Sequence, residues 1–415
     1  TIMTLNQPKG PLPEPLRGIE YGTFTHRSIA ERLPKIGRRM LAVNNFPPPV
    51  MDQLQSLVAG IPDAPIEAMD DAGVPDAPGW EAAIAPYLGQ DWLHPPWFVV
   101  ETYFYRKVLA ISGYFGTGPG RAVDPFAYDK GQGLESSSGL IRELSDRVVG
   151  LLEENGRSRL SLISLLFADL WGNQADMSMW PAGTGEDEGP AESRSPQAQV
   201  LVDDSAAVAA HLFDRPEPAG RVDILLDNAG FELVADLHLA TYLLTHDLAR
   251  HIRLLAKVHP VFVSDALKTD VVQTISYLAA HDEANVATIG RRLSAFMEAG
   301  RLSLHDDWFW NSPLPGWQMP VPLRQDLAGA DLLISKGDAN YRRWLGDRHW
   351  PFTTPFGDVV AYTPAPLVAL RTLKAEVMVG LTEETLRQVG QADPGWLANG
   401  SWGVIQFHRP EPAQL

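Results

Sequence analysis

The sequence predicts an α/β protein: a three-layer α/β/α domain on a parallel-rich sheet, preceded by a mainly helical domain. Three observations carry that expectation. Short apolar runs near 222–226, 261–264, 301–304, 331–335 and 403–407 alternate with helical patterns, the order of parallel strands with helices on both faces. The first half shows long amphipathic segments and few such runs. Between the halves, residues 181–196 are rich in Pro, Gly, Glu and Ser, a linker composition. The expected organisation is therefore a helical domain over 1–180, an acidic linker over 181–197 and an α/β domain over 198–415.

The chain has 415 residues, of which 45% are hydrophobic and 20% charged, a globular balance. Asp and Glu number 51 against 34 Lys and Arg, a formal charge of −17. That excess disfavours nucleic acid and anionic membrane as partners, yet leaves room for a local basic pocket. Cysteine is absent, which excludes disulfides, thiolate zinc sites and cysteine nucleophiles. No apolar stretch has the length of a membrane span, and residues 1–20 carry no signal-like apolar core, so a cytoplasmic location is expected.

In chain order, an extended leader over 1–20 gives way to a helical pattern from His26 to Ile36 that carries Arg32 and ends before Pro47-Pro48-Pro49. Residues 95–109 read as a buried helix with Glu101 inside its apolar part. A carboxylate there is costly unless paired, so Glu101 either meets an arginine or reaches a cavity. Gly116-Thr117-Gly118-Pro119-Gly120 resembles a nucleotide loop, but no strand precedes it, no helix follows, and Pro119 removes a donor; a plain turn is expected. Residues 138–170 are helical, with Leu151, Leu152, Leu160, Leu162, Ile163, Leu165 and Leu166 as core candidates.

In the second half, the run Val222 to Leu226 closes on Asp227-Asn228, turns at Gly230 and enters a helix with Glu232 in its first turn. Ligands of open α/β sheets collect outside the carboxyl ends of strands, where a carboxylate beside an amide oxygen suits a hard divalent ion. The same residue types also cap helices. Pro260 to Asp265 and Asp331 to Asp338 read as further strands closing on acids, and three such ends suggest convergence on one crevice. The loop 306–325, with Trp308, Trp310 and Trp317, reads as rim packing or a lid. Past Pro366, Leu367 to Val379 reads as a helix on which Arg371 and Lys374 share a face and present two cations to an oxyanion.

In this order the motifs resemble the metal-dependent damage-control phosphatase family, in its subgroup with an Arg-Thr-x-Lys signature, also described as acidic-residue carboxyl methyltransferases. The resemblance rests on Glu31-Arg32-Leu33-Pro34, Glu101 to Arg106, Trp171-Gly172-Asn173 with Asp176, Asp227 to Glu232, Phe262 to Asp265, Lys336 to Arg342, and Arg371 to Lys374. It implies one divalent ion (Mn²⁺, Mg²⁺, Co²⁺ or Ni²⁺) on Asp227, Asn228 and Asp265. It also implies substrate contacts from Arg32, Glu101, Glu232, Asp338, Asn340, Tyr341, Arg342 and Lys374. Catalytic work is expected of Asp227, Asn228, Asp265 and Lys374, with Lys336 or Arg371 offsetting phosphoryl charge beside Lys374 and Gly337 among the substrate contacts. Departures are the acidic insert and Ala339, where a larger aliphatic residue is usual.

The expected reaction is phosphomonoester hydrolysis of a small phosphorylated substrate, such as a sugar phosphate or damaged phosphometabolite. The nucleophile is metal-bound water or Asp227 itself. The alternatives are an S-adenosylmethionine-dependent carboxyl methyltransferase, disfavoured by the missing glycine-rich donor loop, and a non-catalytic sugar-phosphate-binding protein.

Overall fold

The computed structural model of the chain describes residues 7–71, 73–172 and 196–410. Asn173 and Asp176, and most of the segment 181–197, lie outside the described residues. Among those described, a seven-stranded sheet is formed by β1 Val200–Asp203, β2 Ala219–Leu225, β3 Ala249–Ala256, β4 Leu302–Asp306, β5 Leu332–Lys336, β6 Leu367–Thr372 and β7 Gly403–His408. Their order is β1-β7-β6-β5-β2-β3-β4. Every neighbouring pair is parallel except β6 and β7.

Pleat alternation sends neighbouring side chains to opposite faces, so the strands feed two apolar layers. Ile224, Leu254, Leu332, Ile334 and Val368 join one cluster with the helices Ser138–Leu151, Arg159–Leu170 and Phe231–Thr245. Leu225, Leu255, Leu333 and Ala369 join the other, with Ile29, Leu33, Trp97, Tyr103 and Trp344. This is the α/β sandwich expected. The helix expected over 95–109 runs Trp97–Ser112, and the Gly116 to Gly120 stretch is a series of turns and bends. Trp310 is buried beside Trp344, 6.0 Å between ring centroids, so that part of the tryptophan loop packs on the rim.

Three local expectations are corrected. Residues 261–264 are not a strand: Phe262 and Val263 have φ of 50° and 70°, the left-handed region, which a pleated strand cannot contain. Their apolar side chains serve packing instead, Phe262 against Phe98 and Tyr105. The strand is β3, disguised by Arg250, His251 and Arg253; Arg253 is neutralised by Asp223 on β2 at 2.7 Å. The second concerns Leu367 to Val379, which begins as β6 rather than a helix. All six residues of β6 are buried, and a strand buried on both faces loses the alternation that marks it. The third is Leu160, at the start of its helix and 74% exposed, not core.

Candidate functional site

Strand order reverses between β2 and β5: β2 leads to β3 on one side, and β5 leads to β6 on the other. That switch point opens a crevice at the carboxyl ends of the strands. Asp227 and Asn228 follow β2, Lys257 and Asp265 follow β3, Gly337 and Asp338 follow β5, and Lys374 follows β6. The cavity there has a volume of about 470 Å³. Phe24, Arg32, Trp97 and Glu101 close it from the N-terminal helices, with Arg32 ending a π-helical turn, Ser28–Arg32.

One wall is acidic. The β2 and β3 loops are tied by an isolated bridge between Asn228 and Asp265 and by Ala266 N–H donating to the Asp227 carbonyl at 2.7 Å. Asn228 Nδ2 donates to Asp227 Oδ2 at 2.7 Å and Glu232 Oε2 at 2.9 Å, while its Oδ1 accepts from Ser264. Burial, then the charges of Glu232 and Asp265, push the Asp227 carboxyl well above its ordinary range. Burial likewise raises Asp265 to about 6, despite Lys257 Nζ at 3.4 Å. Asp265 Oδ2 is buried and receives no hydrogen bond.

Among the described residues, no group of three or more His, Cys, Asp or Glu is arranged to hold a metal. The set here is two carboxylates and an amide. It fits an ion that keeps several waters, as Mg²⁺ does on one or two carboxylates. Asp265 Oδ2 has the long 3.4 Å ion pair with Lys257 but no hydrogen bond, and the carboxylates repel one another; a second cation would relieve both. Asn228 now uses its Nδ2 between two carboxylates, so its Oδ1 reaches an ion only after the amide turns.

The lining also carries cations. Lys374 borders the cavity, and Asp338 Oδ1 accepts from its backbone N–H at 3.2 Å. Glu101 is buried between two arginines: Oε1 accepts from Arg32 Nη1 at 3.1 Å and Oε2 from Arg342 Nη1 at 2.6 Å. It thus meets both expectations, arginine pairing and a place in the cavity wall. Arg342 stacks on Trp97, 3.5 Å from the ring centroid, and this fixes its direction.

Several expected site residues lie outside the cavity lining. Lys336 is buried with Asp169, Asp236 and Glu232. Arg371 does not share a face with Lys374: it is fully buried, donates to Asp338 Oδ1 at 2.8 Å and lies over the Tyr341 ring. Tyr341 bonds Gln406, and Asn340 accepts from Lys257 at 2.9 Å. Gly337 touches the site through its backbone: with φ of +82°, a Cβ there would lie 1.9 Å from Asp227 Oδ2. Sequence reasoning missed Lys257, whose signal, a lysine closing the run Leu254-Leu255-Ala256, was hidden with β3. It also missed Phe24 and Trp97 as cavity walls; nothing local marks an apolar side chain as facing a site.

The family model for the damage-control phosphatase ARMT1-like domain matches residues 28–389. Damage-control phosphatase ARMT1 of Danio rerio is 37% identical over 345 residues, 78% of this chain and 75% of its own. Its Mus musculus counterpart is 34% identical over 344 residues, 77% and 75% of the two chains. A DUF89 family protein of Pyrococcus horikoshii aligns over 93% of this chain and 98% of its own, with a TM-score of 0.46 and 12% identity.

Proposed function

The chain belongs to the damage-control phosphatase ARMT1-like family, and from that premise we propose that it hydrolyses small phosphomonoesters, such as sugar phosphates or damaged phosphometabolites, with one divalent ion as cofactor. The observation that carries this reading is one cavity lined both by the buried carboxylates Asp227 and Asp265, raised in pKa by burial, and by Lys374, Arg32 and Arg342.

Asp227, Asn228 and Asp265 would hold the ion. When bound it supplies Lewis-acid charge to a phosphoryl oxygen and lowers the pKa of water. The remaining work belongs to side chains. Lys374 and Arg32 offset the charge of the phosphoryl oxygens as the ester bond breaks. Asp338 fixes the chain that presents Lys374, and Arg371 fixes Asp338. Glu101 holds Arg32 and Arg342 in the cavity wall. Phe24, Trp97 and Phe262 supply apolar walls that limit water. Glu376 accepts from the Phe24 and Thr25 N–H groups at 2.9 and 3.2 Å, docking the N-terminal helix on the segment after β6.

Phosphate release from a panel of sugar phosphates is expected to disappear on EDTA treatment and return with Mn²⁺, Mg²⁺, Co²⁺ or Ni²⁺. Full activity in metal-free protein, checked by elemental analysis, would refute the cofactor. Lys374→Ala is expected to lower kcat/KM by about 1.5–3 kcal/mol, roughly 10- to 150-fold, through loss of a charge-assisted contact. Its melting temperature should stay close to wild type, because the half-buried side chain adds little packing. An unchanged kcat/KM would remove Lys374 from the reaction.

A further inference from the structure

A second cavity of about 330 Å³ shares Arg342 with the catalytic one. It is enclosed by residues 14–17, the start of the Trp97–Ser112 helix and the turn 346–348 after the helix Asp338–Leu345. Its wall is basic: Arg17, Arg342, Arg343 and Arg348 face it, against the carboxylates Glu14 and Asp347. Asp347 is already engaged, accepting from Arg342 Nε at 2.8 Å and Nη2 at 3.1 Å. Glu14 is exposed.

The other three arginines are bonded to carbonyls. Arg343, 1% exposed, donates from Nη1 to Ser312 O at 2.8 Å and Leu314 O at 2.7 Å, and from Nη2 to Trp310 O at 2.9 Å. Arg348 Nη1 donates to Pro13 O and Arg17 Nη1 to His94 O, which pins the N-terminal arm. Carbonyls satisfy donors but do not neutralise a charge. Among the described residues, Arg17, Arg343 and Arg348 make no ion pair, and the Nε atoms of Arg343 and Arg348 are buried without a partner. Burial accordingly lowers the Arg343 pKa to about 9, the mark of a guanidinium lacking a counter-ion.

We propose that this cavity binds a small multivalent oxyanion, of which inorganic phosphate is the simplest, through Arg343, Arg348 and Arg17, and that its occupancy weakens substrate binding in the catalytic cavity. Planar guanidinium groups suit tetrahedral oxyanions, and three of them line this cavity without a carboxylate partner among the described residues. Arg342 is the link, since it borders both cavities and holds Glu101 on one side and Asp347 on the other. An anion behind Arg342 draws on the charge that its other side presents to substrate and repels a second phosphate. The coupling is therefore negative, and by linkage each ligand weakens the other equally.

The test is calorimetric binding of inorganic phosphate to the full chain, which needs no turnover and so stands apart from the catalytic reading. Lys374→Ala removes a cation from the catalytic cavity and should leave a phosphate site intact. Adding Arg17→Gln and Arg348→Gln to that variant should weaken the remaining site at least tenfold. Val99→Phe, which fills the cavity without removing charge, should do the same and carries the test if the arginine variant unfolds. In steady-state assays, sulfate should raise KM in wild type and raise it less in Arg17→Gln/Arg348→Gln at unchanged kcat. Loss of all phosphate binding in Lys374→Ala, or binding there that ignores the arginine substitutions and Val99→Phe, overturns the site. Binding that leaves KM unmoved overturns the coupling.

Discussion

Asp265→Asn should lose both metal occupancy and phosphate release, with kcat/KM falling at least about 100-fold, since disturbing even the outer partners of a metal ligand costs 10- to 100-fold. Asparagine keeps the volume and removes the charge from a buried oxygen that faces Lys257. Lys257, 3.4 Å away, loses its counter-ion but keeps the Asn340 acceptor at 2.9 Å, so the variant should fold with a lowered melting temperature. Assays therefore belong well below that temperature, with metal affinity measured beside turnover. If Asp265 is a ligand as proposed, protons would compete with the ion for its carboxylate, whose pKa is raised to about 6. Metal affinity should fall as pH drops through 6. Without metal the sign for folding is opposite. An acid whose folded pKa exceeds its unfolded value loses stability as pH rises from about 4 to 6, then levels off. Wild-type protein that transfers methyl groups from S-adenosylmethionine to a carboxylate without added metal, and releases no phosphate, would sink the phosphatase reading.

What could be read from the sequence was whatever depends on neighbours in the chain. Asp227, Asn228 and Glu232 sit where an acid, an amide and a helix start succeed a strand, and that signal is local. Asp265 and Lys374 were identified as residues but assigned to the wrong elements, a strand instead of a loop and a helix instead of the segment after a strand. Three-dimensional direction was harder to read. Lys336 shares its face of β5 with Leu332 and Ile334, which pack toward the helix Phe231–Thr245, where Asp236 lies one turn beyond Glu232. Arg371 shares a face of β6 with Leu367 and Ala369, in the opposite layer with Tyr341. Which cation reaches the crevice is decided by pleat parity and by layers the sequence does not mark. Charge and position at a strand end could not separate Lys336 from Lys374.

Lys336→Met is accordingly expected to act first on stability, lowering it by about 3–5 kcal/mol, the cost of stranding buried partners of an ion pair. Lys336 Nζ lies 2.8 Å from Asp169 Oδ1, 3.0 Å from Asp236 Oδ1 and 3.6 Å from Glu232 Oε1, with Lys336, Asp169 and Asp236 at most 1% exposed. Burial opposes the lysine charge, but the three carboxylates overcome it and hold its pKa well above the usual value. That contribution is present at all pH below the ordinary lysine range and is lost only as pH rises through the raised value. For the acids, burial comes first: it raises Asp236 far and Asp169 less, against the pull of the lysine. Without the lysine their folded pKa values climb further above the unfolded ones, so the variant should lose stability as pH rises from about 4, its deficit larger at pH 8 than at pH 5.5. Urea denaturation at the two pH values measures this. Lys336→Met/Asp236→Leu should recover part of the loss, because removing both members of a buried pair costs less than removing one. Unchanged unfolding free energy together with a raised KM for phosphate esters would return Lys336 to the substrate.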